Sequence, residues 1–310
     1  MKKMTALLLA VLMVLSMAAC ASKPAEESDL AYIQDKGTLV VGITDFAPMD
    51  YQNESGEWVG FDADLAKAFA ESLGVKVEFV EIVWDNKVLE LDSKTIDCVW
   101  NGMTLTSEVT SAMACSNAYC NNAQVVIVPA DKAADYQTVE SVKDLTFAAE
   151  AGSAGEEVDL ANGYNVVSVD SQAKALMEVE AGTADAAIID SLMAGAMVGE
   201  GTSYPNLTVT DQKLTEELYG VGCRKGSDLA SFINSVMAGA YADGVLEATA
   251  ETYGVQAALV EQPASEFTAS ESDSDVQYIK DKGTLVIGIT DFAQDQLGEI
   301  LFVDLPDAGA

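Results

Sequence analysis

The sequence predicts an α/β protein built on parallel-rich sheets with flanking helices. Three observations carry this expectation. Short apolar runs of β type alternate with segments of helical spacing along most of the chain, the order that sets parallel strands side by side with helices on both faces. The helical segments carry capping signals: Asp62 opens one that stops before Gly74, and Gly182 ends Gln172–Ala181. Composition is that of a chain able to build a core, 49% hydrophobic with six prolines in 310 residues. Such a length suits one large domain or two lobes.

Structure is expected from about Gly37 onward. Thr38–Ile43 reads as a strand, and the loop Thr44–Gly60 holds Pro48 and a turn at Asn53–Gly56. A helix follows from Asp62, then a strand over Val75–Ile82. Ile96–Trp100, Gln124–Val128, Leu145–Ala149 and Asn165–Val169 continue as strands, and the helix Gln172–Ala181 leads to the strand Ala186–Ile189. Sheets of this kind bind ligands beyond the carboxyl ends of their strands. The polar residues there are Thr44 and Asp45, Asn101 to Thr104, and Asp190.

The amino terminus reads as an export signal. Lys2 and Lys3 precede an apolar run from Leu7 to Met17, and small residues lead directly to Cys20. The run is too short for a comfortable membrane span. Residues 1–19 are thus expected to be cleaved, leaving 291, with Cys20 lipidated as in a bacterial lipobox; Met17 stands where leucine is usual. An ordinary signal peptide with an incidental cysteine is the alternative. Several acyl chains hold a protein stably at a membrane where one does not. Ala21–Asp29 is rich in Ser, Pro and Glu, and residues 20–34 are expected to form a flexible tether.

Charge and composition exclude several function classes. The net charge is −34, and −36 once Lys2 and Lys3 are removed, which repels nucleic acid and anionic headgroups. The chain has no histidine, so it lacks the commonest metal ligand and general base. Neither metal nor cofactor is implied. Cys98, Cys115, Cys120 and Cys223 show no zinc-finger spacing. They read as buried small hydrophobes, with a disulfide such as Cys115–Cys120 left open for an exported protein.

Six strings in order carry a resemblance: Gly37-Thr-Leu-Val-Val-Gly-Ile-Thr, Gly60-Phe-Asp-Ala-Asp-Leu-Ala, Ile96-Asp-Cys-Val-Trp-Asn-Gly-Met-Thr-Leu-Thr, Ala151-Gly-Ser-Ala-Gly-Glu-Glu, Ala184-Asp-Ala-Ala-Ile-Ile-Asp190 and Gly222-Cys-Arg-Lys-Gly-Ser. Over roughly Asp35 to Val260 the chain resembles the family 3 extracellular solute-binding proteins, polar-amino-acid receptors of ABC importers. The resemblance implies a type II periplasmic-binding-protein-like fold, two α/β lobes joined by two crossing strands and closing over a ligand. It places the solute-binding domain at 35–264, one lobe formed by 35–127 with 221–264 and the other by 128–220. The crossings are expected near Gln124–Val128 and Leu218–Val221.

The same resemblance assigns site residues. Asp190 matches the aspartate that binds the ligand's ammonium; the alternative is a cap on the helix that starts at Ser191. Gly152 to Gly155, with the Ser153 hydroxyl and the Ala154 N–H, can cradle a carboxylate as helix N-termini do, or form a plain capping turn. Gly102 and Thr104 match ligand-contacting positions, Phe46 matches an aromatic cover, and Trp84 is either a second wall or core. Asp45 is expected near the cleft. One departure matters: the family's Gly-Met-Thr-Ile-Thr-x-Glu-Arg has become Gly102-Met-Thr-Leu-Thr-Ser-Glu-Val109. Val109 replaces the arginine whose planar fork would clamp a carboxylate. Either N–H groups and a lysine hold that carboxylate, or the ligand is not a plain α-amino acid.

The carboxyl terminus departs from one domain. Tyr278–Ala293 repeats Tyr32–Ala47 at an offset of 246, with 14 of 16 positions identical. From Gln294 the chain instead resembles a fragment of the glycine-cleavage H protein without its lipoylated lysine. Residues 265–310 are therefore expected to be a linker, a truncated repeat and an H-protein-like tail, too short for a core of their own. The expected function is an extracytoplasmic, lipid-anchored, monomeric receptor that delivers an amine-bearing small solute, foremost an amino acid, to ABC permease subunits. Catalysis is not expected. The alternatives are an enzyme on the same fold, a dehydratase or peptidoglycan lyase, and a ligand-sensing module.

Overall fold

The computed structural model describes residues 28–263. Cys20, the leader, the first part of the tether and the 264–310 tail with its repeat lie outside the described residues.

Fourteen strands are described: β1 (Thr38–Ile43), β2 (Tyr51–Gln52), β3 (Trp58–Val59), β4 (Lys76–Glu81), β5 (Cys98–Val99), β6 (Ala114–Cys115), β7 (Cys120–Asn122), β8 (Gln124–Pro129), β9 (Thr146–Glu150), β10 (Asn165–Val169), β11 (Ala186–Asp190), β12 (Leu207–Lys213), β13 (Glu217–Tyr219) and β14 (Gly222–Cys223). They form two five-stranded sheets, ordered β4-β1-β5-β14-β6 and β10-β9-β11-β8-β12. The fold is thus α/β and two-lobed. In each sheet the first three strands pair in parallel and the remaining two pairings are antiparallel, about β14 in one sheet and β8 in the other. The antiparallel members include those laid down as the chain passes between lobes: β8 enters the second and β14 returns to the first.

Antiparallel pairing of β7 with β13 makes the connection, Cys120 opposite Tyr219 and Asn122 opposite Glu217. Gln124–Val128, expected at the crossing, lies a few residues too late. Its unbroken apolar run belongs to β8, buried inside the second sheet, as a two-sided core strand requires.

The tether expectation also needs correction. Asp29–Lys36 is a helix, capped by the Ser28 hydroxyl on the Ala31 N–H and ended by Gly37 in the left-handed region. It is pinned through Arg224, the only arginine in the chain. The guanidinium donates to both oxygens of Asp29 at 2.9–3.1 Å, to the Ile96 carbonyl at 2.7 Å and to Asp97 at 3.4 Å. Asp97 also pairs with Lys36 at 2.6 Å. Among the described residues the cysteines are free; Cys98 and Cys223 face each other across β5 and β14, and burial raises both thiol pKa values.

Candidate functional site

The carboxyl ends of β1, β5, β9 and β11 converge on one cavity of about 240 Å³ between the lobes. Its first-lobe wall is fixed from below. Asp62, expected as a helix cap, instead turns inward and accepts from the Gly102 N–H at 2.6 Å and the Tyr119 hydroxyl at 2.7 Å. Gly102 has φ +55°, and a Cβ there would lie 2.3 Å from the Phe46 ring. Only glycine allows the loop and the aromatic to lie so close. Phe46, Gly102 and Thr104 all line the cavity, and the Thr104 hydroxyl donates to Glu217 at 3.0 Å.

Trp84 belongs both to a core cluster and to the cavity wall. It is 7% exposed, packs with Leu91, Ile96, Val99, Met103, Val109 and Met113, and lines the cavity. Val109 lines it as well, at 6% exposure. Where the family pattern puts a guanidinium, this cavity therefore presents an apolar surface of Trp84, Val88, Met103, Val109 and Ala112.

The second lobe contributes Ser153, Ala154 and Asp190. Ser153 caps the helix Ala154–Asn162, its hydroxyl accepting the Glu156 N–H at 3.2 Å. Asp190 precedes the helix Ser191–Met197, yet its side chain makes no cap hydrogen bond. The carboxylate is 4% exposed and accepts from the side-chain amides of Asn122, Gln124 (3.0 Å) and Gln172. Burial, followed by the Glu217 charge, pushes its pKa up to about 7, against hydrogen bonds from Gln172, Tyr219 and Gln124. No lysine or arginine among the described residues forms an ion pair with it.

Asp45 is not brought to the site. Thr44 and Phe46 line the cavity while Asp45 between them is exposed. Motif reasoning also passed over the residues that dominate the electrostatics. Six carboxylates line the cavity, on Asp85, Glu108, Glu150, Glu156, Glu157 and Asp190, against one ammonium, on Lys87. Lys87 spans the lobes, donating to the Trp84 carbonyl at 3.3 Å and the Gly152 carbonyl at 3.0 Å, with its charge 5.0 Å from the Trp84 ring centre. Burial lowers its pKa, opposed by Asp85 and Glu150. The signal that could have found Glu150 is its place at the end of β9, equivalent to that of Asp190 at the end of β11.

Two apposed α/β lobes with a ligand-sized cavity at their strand ends define a solute-binding protein. The chain belongs to the bacterial extracellular solute-binding proteins, family 3, whose model matches residues 39–256. Residues 270–310 match the glycine cleavage H-protein model. The L-cystine-binding protein TcyJ of Escherichia coli (strain K12) is 28% identical over 233 residues, 74% of this chain and 87% of TcyJ. A mutant of ArgBP from T. maritima superposes with TM-score 0.68 at 34% identity, over 73% of this chain and 99% of that one. An ABC uptake transporter substrate binding protein from Streptococcus pneumoniae with bound histidine gives TM-score 0.68 at 28% identity, over 76% and 99%. Cyclohexadienyl dehydratase of Pseudomonas aeruginosa is 31% identical over 151 residues, 48% of this chain and 56% of the enzyme.

Proposed function

We propose that this chain is the extracytoplasmic receptor of an ABC importer and that its solute is an amino acid held by its ammonium at Asp190. The observation that carries this is Asp190 itself, a buried carboxylate in the cavity that is left out of helix capping and in no ion pair among the described residues. The ligand's carboxylate is received beside Lys87 and the first N–H groups of the helix Ala154–Asn162, which replace the missing guanidinium. Relatives matched over most of their length bind amino acids or take part in ABC uptake, whereas the dehydratase is matched over little more than half of its own. Closure of the lobes, a hinge motion, is the working step.

A thermal-shift screen over amino acids tests this, because a ligand that binds only the folded state raises its melting temperature. Asp190→Ala should then cost about 2–5 kcal/mol of binding. Less than a threefold loss by calorimetry, or recovery of a chemically altered ligand, would refute the reading. Anchoring through Cys20 belongs to the same proposal. Cys20→Ala should leave the membrane fraction or remain unprocessed, and equal membrane association of both forms would count against it.

A further inference from the structure

Glu150 is the one cavity carboxylate with an oxygen both fully buried and unpartnered. It ends β9, is 4% exposed, lines the cavity, and its Oε1 has no hydrogen-bond partner. Its neighbour Asp190 ends β11, the strand paired in parallel with β9, so the two carboxylates stand together over the same space. Gln172 tightens the arrangement, donating to Asp190 and accepting the Asp190 N–H at 2.9 Å. No lysine or arginine among the described residues forms an ion pair with either acid; Lys87 donates to two carbonyls. A buried acceptor without a donor is costly, and the cavity around it offers six carboxylates against one ammonium.

We propose that Glu150 acts with Asp190 as a paired-carboxylate socket, and that the solute carries a net positive charge: an ammonium seated between the two acids and a second cationic nitrogen along its chain. Both a basic amino acid and a diamine offer that chemistry. This rests on the receptor reading and narrows it. Neutral amino acids, whose carboxylate would add an anion to an already acidic cavity that lacks the arginine fork, are selected against.

The socket also links binding to protons. Burial, reinforced by Asp190 and opposed by the Lys87 charge and a hydrogen bond from Gln172, pushes the Glu150 pKa up to about 8, next to Asp190 at about 7. The charged groups around the pair are Asp85 and Lys87 of the first lobe, Glu108 on the helix Ser107–Ala112, Glu156 and Glu157 on the helix Ala154–Asn162, and Glu217 of β13. An arriving ammonium favours the doubly ionised pair and expels the proton that the empty socket retains at neutral pH.

The test is calorimetric titration of lysine, 1,5-diaminopentane and norleucine into wild type and Glu150→Gln, whose melting temperature certifies folding. Wild type should prefer lysine or the diamine to norleucine. Glu150→Gln should weaken lysine and the diamine about 30-fold or more, and norleucine by a similar factor, since each seats an ammonium between the two acids. Comparing lysine with the diamine shows which source the cavity serves. In wild type alone, affinity for the dicationic ligands should rise between pH 6 and 8. Norleucine binding as tightly as lysine, an affinity for lysine and the diamine within threefold of wild type in Glu150→Gln, or an affinity flat with pH would overturn the socket while leaving an amino-acid receptor standing. Silence toward every amino acid and amine would overturn both.

Discussion

Gly152→Ala separates lobe closure from fold stability. Gly152 lies in the loop after β9 with φ +70°, and a Cβ there would come 2.7 Å from Asp85 Oδ1, 2.8 Å from Asp85 Cα and 3.0 Å from Asp85 Cβ. Asp85 belongs to the first lobe, so the clash exists only where the lobes meet. Forcing one methyl into packed surroundings costs about 1–3 kcal/mol, and that cost falls on the closed state alone. The backbone strain, about 1 kcal/mol, falls on open and closed states alike. Ligand affinity should therefore drop about 5- to 150-fold, with a melting temperature lowered only slightly. Gly163→Ala supplies the control, because Gly163 has φ +71° and nothing within 4 Å of its added Cβ. It should lose stability and keep affinity. Calorimetry on both variants decides. Affinity within twofold of wild type in Gly152→Ala, or the same loss in Gly163→Ala, would refute the closure argument.

Arg224→Lys should destabilise the fold by about 3–5 kcal/mol, since one ammonium cannot reach Asp29, Asp97 and two carbonyls together; denaturant melts that coincide with wild type would contradict this. Ligand-free protein should melt higher at pH 5 than at pH 8. Burial raises the Asp62 and Asp190 pKa values to about 7 and those of Glu150 and Asp159 to about 8. Folding thus takes up protons across this range, and the stability so gained is complete below about pH 4 and lost as pH rises through 7–8. A melting temperature that climbs from pH 5 to 8 would show that these acids ionise at ordinary values. Glu150→Gln should flatten part of that slope, read in the same melts.

Gln124–Val128 and Ala186–Ile189 were legible because both of their faces are covered, so each is written as a continuous apolar run, whereas Asn165–Val169, an exposed edge strand, was legible from its β-branched valines. Thr38–Ile43 and Asn165–Val169 were placed to the residue, and Gln124–Val128 and Ala186–Ile189 to within one. The crossing strand Cys120–Asn122 was not legible. Its Cys-Asn-Asn sequence has no β character, and it is extended because Glu217–Tyr219 pairs with it from nearly a hundred residues away. The helix Asp29–Lys36 failed for a similar reason: its first carboxylate looks solvated in sequence and is instead buried against Arg224, 195 residues on. At the site, motif order located Phe46, Gly102, Thr104, Ser153, Ala154 and Asp190 on the cavity wall. It was silent about Lys87 and Glu150, whose importance lies in charge around a shared space, which no local string records.

That distribution of charge separates scaffold from site. Where a buried carboxylate belongs to the scaffold and two elements must be joined, the chain supplies a cation: Arg224 and Lys36 hold Asp29 and Asp97. Other buried acids, Asp50, Asp62 and Asp159, form no ion pair among the described residues, and burial, reinforced at Asp50 by Asp62 and at Asp159 by Glu156, raises their pKa values so that the neutral form is favoured. They are closed off from the cavity, so a neutral acid is a stable solution for them. Glu150 and Asp190 differ in one respect, that a solute can reach them. Retaining a proton is only their resting solution, because a ligand cation that pairs with the ionised acids shifts the equilibrium toward proton release. The single arginine thus fastens the amino-terminal helix, and the cavity takes its missing positive charge from the solute.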